Sequence, residues 1–156
     1  MKIMSLQGAT LNKNKMIISE ICLNKLKEFE GFRSEAYLDA AGVPTVGYGH
    51  TKNVKLGDRI TEYCAREYLL QDLYETEQAV NALNVAKTPG QFDALVSFAY
   101  NLGIGHLKSS TLLKVIREGG SKLQITREFK RWVFAGGKPM RGLVLRREWE
   151  AKRFFE

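Results

Sequence analysis

Cysteine is scarce: Cys22 and Cys64 are the two in 156 residues. They have no CxxC spacing and no nearby histidine, so a zinc site is not expected. Both read as buried, reduced thiols packing as small apolar residues, with a disulfide formed after export as the alternative. Long hydrophobic runs are also missing. None approaches the roughly 20 residues that a membrane-spanning helix needs. Near the start, Met16-Ile17-Ile18 falls short of the roughly 7–15 apolar residues of a secretory signal. The expectation is a protein kept in the cytoplasm until something else releases it. Acidic residues are outnumbered, 17 against 24 lysines and arginines, for a formal net charge of +7. The favoured partner is therefore negative: nucleic acid, an anionic membrane surface or a carboxylate-bearing cell wall. Blocks of like charge, repeats and low-complexity stretches are absent. With 44% hydrophobic residues, the chain is long enough for one globular domain with a real core.

Residues 1–18 read as a loosely held arm before a single domain, 19–156. Ser19 is placed to cap a helix ending near Glu30, with apolar Ile18, Cys22, Leu26 and Phe29 at helical spacing and Gly31 as its stop. From Arg33 to about Asp58, β-favouring residues alternate with glycine and proline turns, which predicts a small antiparallel sheet of about three strands over 31–60. Thr61 should cap a long helix to about Leu83, carrying Cys64, Tyr68, Leu69, Leu73 and Val80 on its apolar face. Thr88-Pro89-Gly90-Gln91 fits a capping box for a helix to Leu102. Further helices are expected near 110–118, 122–134 and 142–155. The fold class is thus α+β and mostly helical: a small sheet lobe, a linking helix over about 61–84, and a larger helical lobe over about 85–156.

Two carboxyls stand out between these elements. Glu30 ends its helix beside Phe29 and Phe32, where the dipole's negative end and an apolar setting favour a retained proton. Asp39, in a turn rich in backbone donors, should stay ionised. Two carboxyls driven apart in protonation suit glycoside hydrolysis. Taken alone, the pair reads more readily as an exposed helix end and an ordinary turn former.

Wider motifs separate these readings. Glu-Gly-x-Arg from Glu30, Tyr37-x-Asp39, and Gly42-x-x-Thr45-x-Gly47-x-Gly49-His50 resemble the phage-type lysozymes of glycoside hydrolase family 24. The similarity continues in Gln91 to Phe98, Asn101-Leu102-Gly103, Ser110 to Leu113, and Phe129-x-Arg131-Trp132-Val133 before Gly136-Gly137. It spans about residues 20–156. The resemblance implies a muramidase cutting the β-1,4 bond between N-acetylmuramic acid and N-acetylglucosamine of peptidoglycan. Glu30 would be the general acid, with Asp39 and Thr45 orienting water. Thr51, Tyr100, Asn101 and Ser110 would line the sugar cleft, although Tyr100 also reads as a core aromatic and Ser110 as a helix cap.

His50 resembles the family's structural histidine, pairing an acid to hold the sheet lobe; His106 reads as a surface or loop residue. Gly42, Gly47 and Gly49 suit either tight turns or close approach of sugar. The C-terminal series Arg141, Arg146, Arg147, Lys152 and Arg153 reads as the solvated basic face of an amphipathic helix. No cofactor, metal or specific nucleic acid is implied, and the partners expected are glycan strands and, for release, a holin, with the chain a monomer. The competing reading is a non-catalytic basic protein of the same fold that binds cell wall or nucleic acid.

Overall fold

The computed structural model describes residues 15–156. Its first helix, α1 (Glu20–Glu30), begins where the Ser19 hydroxyl accepts the Cys22 N–H and ends at Gly31, whose φ of 71° breaks the helical path. Cys22, Leu23 and Leu26 are its buried face. A hairpin of β1 (Arg33–Leu38) and β2 (Pro44–Gly47) follows, antiparallel, with Tyr37 opposite Thr45 and Leu38 opposite Pro44. Two strands form where about three were expected. The rest of the segment is held by single bridges, Glu35 to Arg59 and Val46 to His50.

The long helix α2 (Glu62–Leu83) is capped by Thr61 and ended by Asn84 in the left-handed conformation. Ala65, Leu69, Leu73 and Val80 form its buried stripe. Cys64 is exposed, which corrects its placement in the core, while Cys22 is buried as expected. Met16 and Ile18 are not loosely held: the Met16 and Ile18 N–H groups donate to Asn81 Oδ1 and Glu77 Oε2 on α2. The remainder of the expected arm, residues 1–14, lies outside the described residues.

Helix α3 (Pro89–Leu102) is buried from Phe92 through Ala99 and makes the centre of the helical part. Thr88 caps it as expected, but the Gln91 side chain reaches back one residue further, to the Lys87 N–H at 2.8 Å. A short helix that the sequence reading leaves out, α4 (Ile104–Ser109), carries His106 against Trp132. Then come α5 (Thr111–Arg117), α6 (Lys122–Lys130) and α7 (Arg141–Phe154). Helix α6 stops short of Phe134 because Phe134–Ala135 (β3) pairs with Lys138–Pro139 (β4) around Gly136-Gly137, both at positive φ. Such a two-residue turn is one that paired glycines permit. The main core gathers α1, α2, α3, α6 and α7 around Leu26, Leu73, Phe92, Phe98, Phe129 and Phe154.

Helix α7 is the largest departure from expectation. Arg146, Arg147, Glu150 and Arg153 are buried, and only Arg141 and Lys152 of the basic series face solvent. The solvated basic face is therefore replaced by internal ion pairs. Each buried cation has an acid supplied by α1, by α3 or by α7 itself: Arg146 meets Glu30, Arg147 meets Glu150, and Arg153 meets Asp93.

Candidate active site

Glu30 sits at the junction of α1 and the hairpin. Its Oε1 accepts a hydrogen bond from Arg146 Nη1 at 3.0 Å, and Arg146 Nη2 is anchored on the Ser97 carbonyl of α3 at 3.1 Å. Its Oε2 points towards Gly49, where a side chain on that glycine would lie 3.6 Å away. Of the apolar collar expected from Phe29 and Phe32, Phe29 lines the same hollow as Glu30 and Phe32 does not. Phe29 packs edge-on to Trp149 and beneath Arg146, and Phe32 packs on Tyr48. An ion pair adds to this apolar lining, and Arg146 is the partner of Glu30 that sequence reasoning missed. Glu30 opens into a hollow of about 590 Å³, shared with Asn101, Met140, Leu143, Arg146 and Ala135 of β3.

Asp39 and Thr45 are joined through Val43. Asp39 Oδ1 accepts the N–H groups of Ala41 and Val43, at 2.8 and 2.9 Å, an Asx turn that rigidifies the hairpin tip. Thr45, 3% exposed, donates its hydroxyl to the Val43 carbonyl at 2.9 Å. The donor of Thr45 is thus committed and its oxygen lone pairs remain. Asp39 Oδ2 has no hydrogen-bond partner among the described residues. The strand that carries Thr45 continues through the Val46–His50 bridge, which closes the turn holding Gly49 beside Glu30.

The outer residues divide. Tyr100 lies within the field of Glu30 and Asp72, and burial followed by these two carboxylates pushes its phenol well up. Asn101 lines the Glu30 hollow and accepts from Arg147 Nη2 at 2.9 Å. Ser110 lines a different hollow, of about 320 Å³ with Glu128, Arg131 and Trp132. There its hydroxyl caps α5 by accepting the Leu113 N–H and donates to the Leu107 carbonyl. Thr51 is exposed next to His50. His50 is 7% exposed, pairs through Nδ1 with Asp72 Oδ2 at 2.8 Å and stacks on Tyr68, tying the hairpin to α2. Glu35 is a surface residue paired with Arg59.

The phage lysozyme family model matches residues 27–150, a span containing Glu30, Asp39, Thr45 and Arg146. The endolysin of Bacillus phage B103 is 44% identical over 146 residues, covering 89% of this chain and 54% of that protein. The chain therefore spans about half the length of that relative. The endolysin of Acyrthosiphon pisum secondary endosymbiont phage 1 is 39% identical over 146 residues, covering 90% of this chain and 99% of that one. Among solved structures, the endolysin of Escherichia coli O157:H7 phage FAHEc1 superimposes with a TM-score of 0.82 at 39% identity, covering 90% of this chain and 94% of its own. By these measures the chain belongs to the phage lysozyme family.

Proposed function

We propose that the chain is an endolysin, a muramidase that hydrolyses the β-1,4 bond between N-acetylmuramic acid and N-acetylglucosamine in peptidoglycan. The observation that carries this reading is the Glu30 carboxyl, held by Arg146 through one oxygen while the other faces the Gly49 turn. The free oxygen, Oε2, delivers a proton to the glycosidic oxygen as the bond to the sugar's anomeric carbon breaks. Positive charge developing on that sugar is met by the Asp39 carboxylate. A water oriented by Asp39 Oδ2 and the lone pairs of Thr45 adds to the anomeric carbon and gives up its proton to the Asp39 carboxylate. Tyr100, Asn101, Thr51 and Ser110 are proposed glycan contacts, with Tyr100 and Asn101 the better supported by their nearness to Glu30.

The enzyme acts as a monomer on the wall, is held in the host cytoplasm until a holin-like partner opens the membrane, and then works in the periplasm. A binding protein without catalysis has no use for a carboxyl held with one oxygen free, which favours the enzyme. Mass spectrometry of muropeptides released from purified peptidoglycan tests the bond assignment. Fragments with an N-acetylmuramic acid reducing end are expected. Anhydromuramic ends would make the chain a lytic transglycosylase, and N-acetylglucosamine reducing ends would move the cut to the other linkage.

A further inference from the structure

Behind Glu30 the charges alternate in a chain. Arg146 reaches Glu30 with Nη1 at 3.0 Å, and its Nε lies 3.6 Å from Glu150 Oε2. Arg147 donates to the same Glu150 oxygen at 3.0 Å through Nη2, and its Nε sits 2.6 Å from Oε1 without an N–H aimed at it. Glu150 is fully buried and Arg147 is fully buried beside it. The Ser97 hydroxyl adds a donor to Glu150 Oε2 at 2.6 Å. Arg146 Nε and Glu150 Oε1 are buried and carry no hydrogen bond. That part of the cluster is held by charge, where neighbouring fields act most strongly. A hydrophobic pair of similar volume would pack α7 on α3 without the cost of burying these ions, so packing alone does not explain them.

We propose that Glu150 is a positioning residue for the proposed catalytic acid: it shares the Arg146 guanidinium with Glu30, and Arg147 sets how large that share is. The inference rests on the muramidase reading of Glu30. Burial pushes the Glu150 carboxyl up, and the two guanidiniums with the Ser97 hydroxyl draw it back towards the anion. With Glu150 ionised, part of the Arg146 charge is compensated inside the protein and less of it is directed at Glu30. If Glu150 is made neutral, two cations act on Glu30 without an internal counter-charge. If Arg147 is made neutral, Glu150 takes more of Arg146 and the field at Glu30 weakens. The other groups facing Glu30 are Tyr100 of α3, with the Asp72–His50 pair beyond it, and Glu28 of α1 in the same hollow. Those facing Glu150 are the Cys22 thiol of α1 and the Asp93–Arg153 pair. All of these are left in place by the substitutions below.

The test is the pH dependence of kcat/KM on purified peptidoglycan, read on the alkaline limb, with circular dichroism and a melting curve for each protein. Glu150→Gln should move that limb down by on the order of half a pH unit, and Arg147→Gln should move it up. The double variant should return it near the wild-type position. Folded single variants whose limbs both stay put, or both move the same way, would overturn the proposal, since a merely structural role gives no opposed signs. Should Glu150→Gln fail to fold, Arg147→Gln against Arg147→Lys decides. The limb should rise only when the charge is lost, and equal limbs would contradict the sharing. An inactive wild type would instead remove the muramidase reading itself.

Discussion

Arg146 on the last helix donates to Glu30 on the first at 3.0 Å, a contact spanning 116 residues of sequence. It ties α7 to the C-terminal end of α1 and sets which oxygen of Glu30 is free. Arg146→Met should lower peptidoglycan hydrolysis by about 100-fold, because the carboxyl loses its fixed orientation. It should also cost about 3–5 kcal/mol of stability, since buried Glu150 loses one of its two cations. Arg146→Lys should recover part of the stability and little of the rate, having one nitrogen where Glu30 and the Ser97 carbonyl need two. Turbidity assays and chemical denaturation check both numbers.

Gly47 and Gly49 should fail differently when changed to alanine. At Gly47, with φ of 68°, a Cβ would stand 2.9 Å from the Ala65 Cβ and 3.0 Å from Ile60 Cδ1. Strain and overpacking together should cost about 2–4 kcal/mol, with residual activity following the folded fraction. Gly49→Ala shares the backbone strain, at φ of 84°, but meets only Glu30 Oε2, at 3.6 Å, so without the overpacking it should keep more stability and lose proportionally more activity. Melting temperature and specific activity of the two variants, measured side by side, separate the effects.

The thiols should react unequally. Cys64 is exposed and Cys22 is buried, its thiol pushed well up by burial and by Asp93. One equivalent of a thiol reagent is expected to react quickly with native protein and two with denatured protein. Two rapid equivalents in the native state, or none in the denatured one without reductant, would contradict this arrangement.

Much of the fold was legible because its signals are local. Ser19, Thr61 and Thr88 are caps that act within three residues, and all three accept the expected N–H. The Gly136-Gly137 turn carried a local signal too, but the helical spacing before it was extended too far, past Lys130 to Phe134, the first residue of β3. The interior of α7 had no local signal. Arg146, Arg147 and Arg153 fit a solvated face by spacing; Glu150 meets Arg147 within the helix, but Glu30, Asp93 and the Ser97 and Trp132 carbonyls lie far away in sequence. The same limit applies at the site. Glu30, Asp39 and Thr45 stood out through motifs, whereas Arg146 and the Val43 peptide that joins Asp39 to Thr45 emerge only when distant or crossing strands are brought together.

Alkaline pH should weaken the link between hairpin and α2. Tyr48 donates to Glu62 at 2.8 Å, and burial with that hydrogen bond pushes its phenol up to about 12 from about 10. The folded state therefore keeps a proton that the unfolded chain has lost. The contribution is complete below pH about 10 and disappears as pH rises towards about 12. Tyr100, also pushed up, adds in the same direction. The melting temperature should fall across this window, and less steeply in Tyr48→Phe; an equal fall in both would contradict the assignment to Tyr48.

The proposed supply of the glycosidic proton by Glu30 is tested most directly by comparing Glu30→Gln with wild type in a turbidity assay on purified peptidoglycan, at matched folded concentration. Glutamine keeps the shape and can still meet Arg146 through its amide oxygen, but it has no acidic proton to give. The expected result is clearing by wild type and a loss of at least about 100-fold in the variant with its fold intact. Clearing by folded Glu30→Gln at the wild-type rate would contradict the role of Glu30.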